Sequence, residues 1–307
     1  MLMSKKIRYI IGLFLLIAFV SSCEKDFDIV VPANKTKLVV EGYINNEMPL
    51  YNYVVLTRSM GFDTTNLNNL AVTGAKVFIT EGDRQGSNII WNVSTKIQLK
   101  EARIPQISPA AIPGIYFDTV LATDPQRALR GKIGKQYLLE IEVDGKKYSA
   151  VTALLQPIPI DSLTSGNYFQ DEENDTIITK ARLTVHFQDP DTIGNAYLYY
   201  WHRSSDGNEF GWGAFGRHRF SPGTDDLVNG QYIHLTHQAG FILNDTVSYY
   251  MAHVERNIYN FWDSYTKARD NNGPFSTPLQ LNSTIKGEDV IGSFNGFALT
   301  ARKIVIK

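Results

Sequence analysis

Between residues 37 and 154 the chain is a succession of short β-branched and aromatic runs separated by turn formers. "KLVVEGYIN" (37–45), "YNYVVLTR" (51–58) and runs at 75–80, 89–93, 114–118, 137–143 and 147–154 each read as a strand. Asp144-Gly145, between the last two, predicts a two-residue hairpin turn, because both residues tolerate positive φ. This spacing predicts a β-sandwich of immunoglobulin or transthyretin-like type over 37–157. The proline-bearing "QPIPIDSL" (156–163) breaks the pattern and places a domain boundary at 157/158. An acidic run at 171–175 reads as a loop, after which strands resume at 176–188, 196–203, 210–220, 231–236 and 246–254, with a last one at 301–307. The period changes once: Ile258, Phe261, Trp262 and Tyr265 fall at i, i+3, i+4 and i+7, so 255–268 is expected to be a helix with an aromatic stripe facing a core. Gly273 and Pro274 end it. The expected fold class is therefore mainly β, a sandwich followed by a second β-rich domain (158–307) with one amphipathic helix.

A different pattern fills the N-terminus. The run from Ile10 to Val20 is apolar apart from Gly12 and follows Lys5, Lys6 and Arg8. A membrane-spanning helix needs about 20 apolar residues, so this shorter run reads as a secretory signal peptide over 1–22. It ends in Val20-Ser21-Ser22-Cys23, which resembles the lipobox of bacterial lipoproteins, and Cys23 is the only cysteine in the chain. That resemblance implies cleavage before Cys23, a diacylglyceryl group on its thiol and an acylated amine, with 23–36 as a lipidated tether. Each buried methylene contributes about 0.8 kcal/mol, so two or three acyl chains hold outer-membrane lipid firmly where one would not. Glu24-Lys25-Asp26-Phe27-Asp28 resembles the acidic signal that carries Bacteroidetes lipoproteins to the outer face of the outer membrane; without such a signal the inner face is expected.

Composition narrows the partners. Among 307 residues the formal net charge is −1 and charged residues make up 20%, so no basic surface points to nucleic acid. With no second cysteine there is no intramolecular disulfide, and burial must hold the fold.

Few residues stand out for chemistry. "GWGAFG" (211–216) matches the glycine fingerprint of dinucleotide sites, but Pro222 and Gly223 break the helix that would hold a pyrophosphate, so no cofactor is expected. His234 and His237, three apart on a strand, point to opposite faces and make a poor metal pair. The acidic stretches at 189–191 and 224–226 read as turn chemistry rather than calcium loops, and no metal is expected. No G-x-S-x-G elbow is present, and the serine of "GSFNG" sits one place early. The densest aromatic region, 197–220, offers a candidate stacking platform: Tyr199, Trp201 and Trp212 with Arg203 and Arg217, suited to an unknown ligand, the alternative being a second core. Asp-Ser/Thr-apolar triplets resemble Bacteroidetes O-glycosylation acceptors at Thr64, Thr119, Ser162, Thr176, Thr192 and Thr246.

The order of "KLVVEGYI", "VVLTRS", "GAKVFI", "YLLEIEVDGKKYSA", "PIPIDS", "HFQDPD", the helix, "GPFSTP" and a Gly/Phe-rich tail resembles the lipoprotein family known as domain of unknown function 4249. The resemblance implies an accessory of a TonB-dependent nutrient receptor and supplies no catalytic residues. The function expected is thus a lipid-anchored, non-catalytic binding component of the envelope. An envelope hydrolase acting on glycan or peptide, or a structural or adhesion protein, are the alternatives.

Overall fold

The Asp144-Gly145 hairpin sets the pattern for the first half. Both residues take positive φ, 50° and 73°, and join β7 (Gln136–Val143) to β8 (Lys146–Ala153) with Val143 opposite Lys146. On β7 the side chains of Tyr137, Leu139 and Ile141 are buried, while Glu140 and Glu142 face outward and meet Lys96 and Lys76. β3 (Lys76–Gln85) lies on the other side of β7, carrying β4 (Asn88–Trp91) and β5 (Ile97–Leu99). These strands form a five-stranded sheet.

This computed structural model describes residues 35–60, 70–105, 108–173, 175–206, 221–271 and 279–307. The sheet facing the first is assembled from both ends of the chain. β1 (Leu38–Asn45) pairs antiparallel with β2 (Tyr53–Arg58), which pairs with β6 (Ile115–Phe117). On its other side β1 pairs in parallel with the first half of β15 (Val290–Val305), Leu38 opposite Val290 and Asn45 opposite Phe297. The second half of β15 pairs antiparallel with β14 (Thr246–Val254), then β11 (Ala196–Arg203) and β12 (Ser221–Thr224). A third, three-stranded sheet holds β13 (Tyr232–Ile242), β10 (Thr176–Gln188) and β9 (Ser162–Glu173).

One face of the seven-stranded sheet is covered by the two smaller sheets. Leu38, Val40, Val54, Leu56 and Phe294 pack against Val77, Ile79, Leu139 and Ile141 of the five-stranded sheet. Farther along, Tyr197, Tyr199, Val247, Tyr249 and Met251 pack against Leu183, Val185, Phe187 and Phe241 of the three-stranded one. The opposite face, with Tyr43, Tyr53, Phe117, Leu198, Ala252 and Phe297, lies under Ile258 of α1 (Arg256–Asp270), the one α-helix among the described residues. The fold is mainly β, in sandwich layers.

Three expectations are corrected. The boundary at 157/158 does not separate two bodies: Thr36–Lys307 is one compact unit, because β15 completes the first sandwich with Phe294 and then continues into the second. The strand expected at 301–307 instead spans Val290–Val305. Its glycines, poor strand formers by propensity, are required by close approach: a Cβ on Gly292 would lie 1.8 Å from the Val40 carbonyl oxygen, and one on Gly296 2.4 Å from that of Ala153. Finally, Asp171, Glu172 and Glu173 belong to β9 and pair with the start of β10. Lys180, its side chain buried, offsets their low strand propensity by pairing with Asp171 at 2.8 Å and with Glu173. The strand expected at 210–220 lies outside the described residues.

Candidate functional site

β11 is flanked by β12 and β14 and covered on both faces, and this decides the fate of the aromatic candidates. Tyr199 is 6% exposed and belongs to the second core, so it is no part of an open stacking platform. Trp201 is half-buried, its ring nearly parallel to that of Tyr249 at 6.4 Å between centroids and edge-on to Phe241 at 5.5 Å. Arg203 is held by Asp206 through Nε at 3.0 Å and Nη2 at 2.8 Å. Trp212 and Arg217 lie outside the described residues, as do Cys23 and Thr64.

The histidines separate as the strand period requires. His237 faces inward, its Nε2 2.7 Å from the Tyr249 hydroxyl, and burial pushes it down to about 4. His234 faces outward, with its Nδ1 2.7 Å from Nδ1 of His186 on β10. The aspartates of the two acidic stretches perform turn chemistry: Asp189 accepts from Tyr197 and from the Gly230 amide, and Asp225 accepts from the amides of Gly194 and Asn195. Ser293 of "GSFNG" is buried and donates to Asn295 at 2.8 Å. Of the glycosylation candidates, Thr119, Ser162, Thr176 and Thr192 are exposed and Thr246 is half-buried.

Two features remain, a groove and a perturbed carboxyl. The first is an open groove of about 860 Å3 where β15 runs past the end of β1. Met48, Pro157 and Pro159 give it apolar walls, Tyr250 an aromatic surface, and Glu47, Arg302 and Lys303 its charges. Arg302 is fixed by donating from Nε to the Ile160 carbonyl, and Tyr250 by stacking on Tyr200 at 4.7 Å. The volume falls in the roughly 300–1,000 Å3 range of small-ligand sites. "PIPIDS", which read as a linker, is one of its walls.

The second centres on Glu41. The residue is exposed on β1, and burial of the carboxyl raises it above the usual range, against the lowering effect of a hydrogen bond from the Tyr43 hydroxyl. Tyr43 and Tyr53 lie 5.3 Å apart beside it, both pushed upward chiefly by burial and then by the Glu41 charge. Nearby, Trp262 donates from Nε1 to Asn295 at 3.0 Å, and Asn295 in turn donates to the Gly42 carbonyl at 2.9 Å. A desolvated carboxyl with a phenol neighbour is equipped to exchange a proton or to accept a hydrogen bond from a ligand. The sequence signal was available: Glu41 is the one charge inside "LVVEGYIN", on the same face as the buried Tyr43.

Among the described residues no helix is long and apolar enough to cross a membrane. Comparison with curated proteins finds no match. Residues 24–303 match the family described as "Domain of unknown function (DUF4249)", and the chain belongs to that family.

Proposed function

We propose that this chain is a lipid-anchored protein of the outer membrane, tied to lipid through acylated Cys23, that binds a ligand outside the cytoplasm as a non-catalytic accessory of a TonB-dependent receptor. The observation that carries the binding role is the groove between the end of β1, the 157–160 wall and β15. Its apolar walls and the cations of Arg302 and Lys303, one from each face of β15, suit a ligand with an apolar body and an anionic group. The anchor rests on the apolar run before Cys23 and its lipobox resemblance, and the matched family region starts at Glu24, directly after that residue.

A second reading, an envelope hydrolase, is favoured by one observation, the raised carboxyl of Glu41 beside Tyr43. Solubilised outer membranes separate the two. Wild-type protein is expected to bring down a stoichiometric β-barrel receptor together with a small ligand, and Lys303→Glu, which reverses one of the groove's cations, is expected to lose the ligand. Protein recovered alone that degrades an envelope glycan or peptide, with the activity abolished by Glu41→Gln, establishes the hydrolase instead.

A further inference from the structure

The outward face of the three-stranded sheet carries a site that spacing along the chain conceals. His186 on β10 and His234 on β13 are 48 residues apart in sequence but directly opposite in the ladder, with their Nδ1 atoms 2.7 Å apart. Their neighbours on this face are polar, Thr164 and Thr184 among them, while Leu183, Val185 and Phe187 alternate into the core.

We propose that His186 and His234 form a binding site for a divalent transition-metal ion, Cu2+ above all, ligated through both Nδ1 atoms. Two imidazole nitrogens each about 2.05 Å from a metal stand about 2.9 Å apart in a square-planar arrangement and about 3.3 Å apart in a tetrahedral one. The observed separation needs to open by only about 0.2 Å for the first and about 0.6 Å for the second, so the geometry favours a tetragonal ion, and the affinity order of divalent metals points the same way. A hydrogen bond at this distance needs a proton on one of the two Nδ1 atoms. Binding needs both Nδ1 lone pairs free, which places the His186 proton on Nε2, where Thr164 Oγ1 waits at 2.8 Å to accept it. Thr164 therefore plays the part of the outer hydrogen-bond partner that orients a metal-bound imidazole. Tyr232, edge-on to His234 at 5.1 Å between centroids, restrains the other ring.

Among the described residues no group of three or more His, Cys, Asp or Glu is placed to hold an ion. The pair thus supplies two ligands and leaves the other positions to water or to a donor on an incoming molecule.

The test is titration of the full chain, with Cys23 acylated or replaced by Ser, with Cu2+ alone, followed by calorimetry and electron paramagnetic resonance. The expected result is a site of one equivalent showing hyperfine coupling to two imidazole nitrogens. That signal is lost in His186→Gln and in His234→Gln, and its affinity falls about tenfold in Thr164→Val. Thermal melting of the metal-free variants checks that each is folded, which is expected because these side chains lie on the outer face. Unchanged two-nitrogen coupling in either histidine variant, or no such coupling in the wild type, overturns the proposal.

Discussion

Replacing His237 and Tyr249 together by phenylalanine is expected to remove a large acid sensitivity while leaving stability near pH 8 almost unchanged. His237 is packed among Trp201 and Tyr249, and burial holds it at about 4 against an ordinary value of 6.5. Because the folded value lies below the unfolded one, the unfolded chain takes up the proton first. Stability is complete above about pH 6.5, falls as pH drops and levels off below about 4. A displacement of about 2.5 pH units is worth about 3 kcal/mol at the plateau and about 2 kcal/mol at pH 5. The double variant deletes both hydrogen-bond partners and replaces them with apolar groups of similar shape, a change that is nearly neutral at high pH. His186 and His253 are also lowered and Glu41 is raised, so the difference between wild type and variant is the informative quantity. The assay is urea denaturation in steps from pH 8 to pH 4. Wild type should lose about 2 kcal/mol more than the variant by pH 5; parallel curves would refute a neutral, desolvated imidazole at this position.

Gly292→Ala should abolish the fold or lower the melting temperature severely, since the new methyl would meet the Val40 carbonyl, whereas Gly74→Ala, also at positive φ but facing open space, should cost only about 1 kcal/mol; thermal melting of both variants decides. Phe294→Ala should cost about 3–5 kcal/mol in denaturant titration, because this residue of the last strand is fully buried in the first sandwich. For the same reason a fragment ending at residue 157 should stay unfolded by circular dichroism until residues 158–307 are added, and a fragment that folds alone would show two independent domains. Glu41→Gln should raise the melting temperature at pH 7 and match wild type at pH 4. A carboxyl whose folded value is raised contributes its stability below the unfolded value and loses it as pH rises through the folded one, so a lower melting temperature at pH 7 would contradict the desolvated site.

What was legible in the chain was local. Ile258, Phe261, Trp262 and Tyr265 placed the helix within two residues of its observed ends, and β10, β11 and β14 lie where their β-branched and aromatic runs put them. What was not legible depends on partners distant in sequence. Nothing near Gly292 announces that Val40 will lie against it, so a glycine-rich segment reads as a tail rather than as the strand joining both sandwiches. The acidic hairpin reads as a loop until Lys180 is seen between its carboxylates. The aromatic run at Tyr197, Tyr199 and Trp201 suits a platform or a core equally well, and only the position of β11 inside the sheet decides. The pairing of His186 with His234 exists only in the register of β10 and β13. Glu41 is the exception, legible in the sequence as the one charge on an apolar strand.

The account turns on the anchor, and mass spectrometry of the N-terminal peptide of the protein from its native membranes tests it most directly. The account predicts that the mature chain begins at Cys23, with a diacylglyceryl group on the sulfur and an acyl group on the amine. A chain that retains residues 1–22, or one carrying a bare thiol at Cys23, would contradict it.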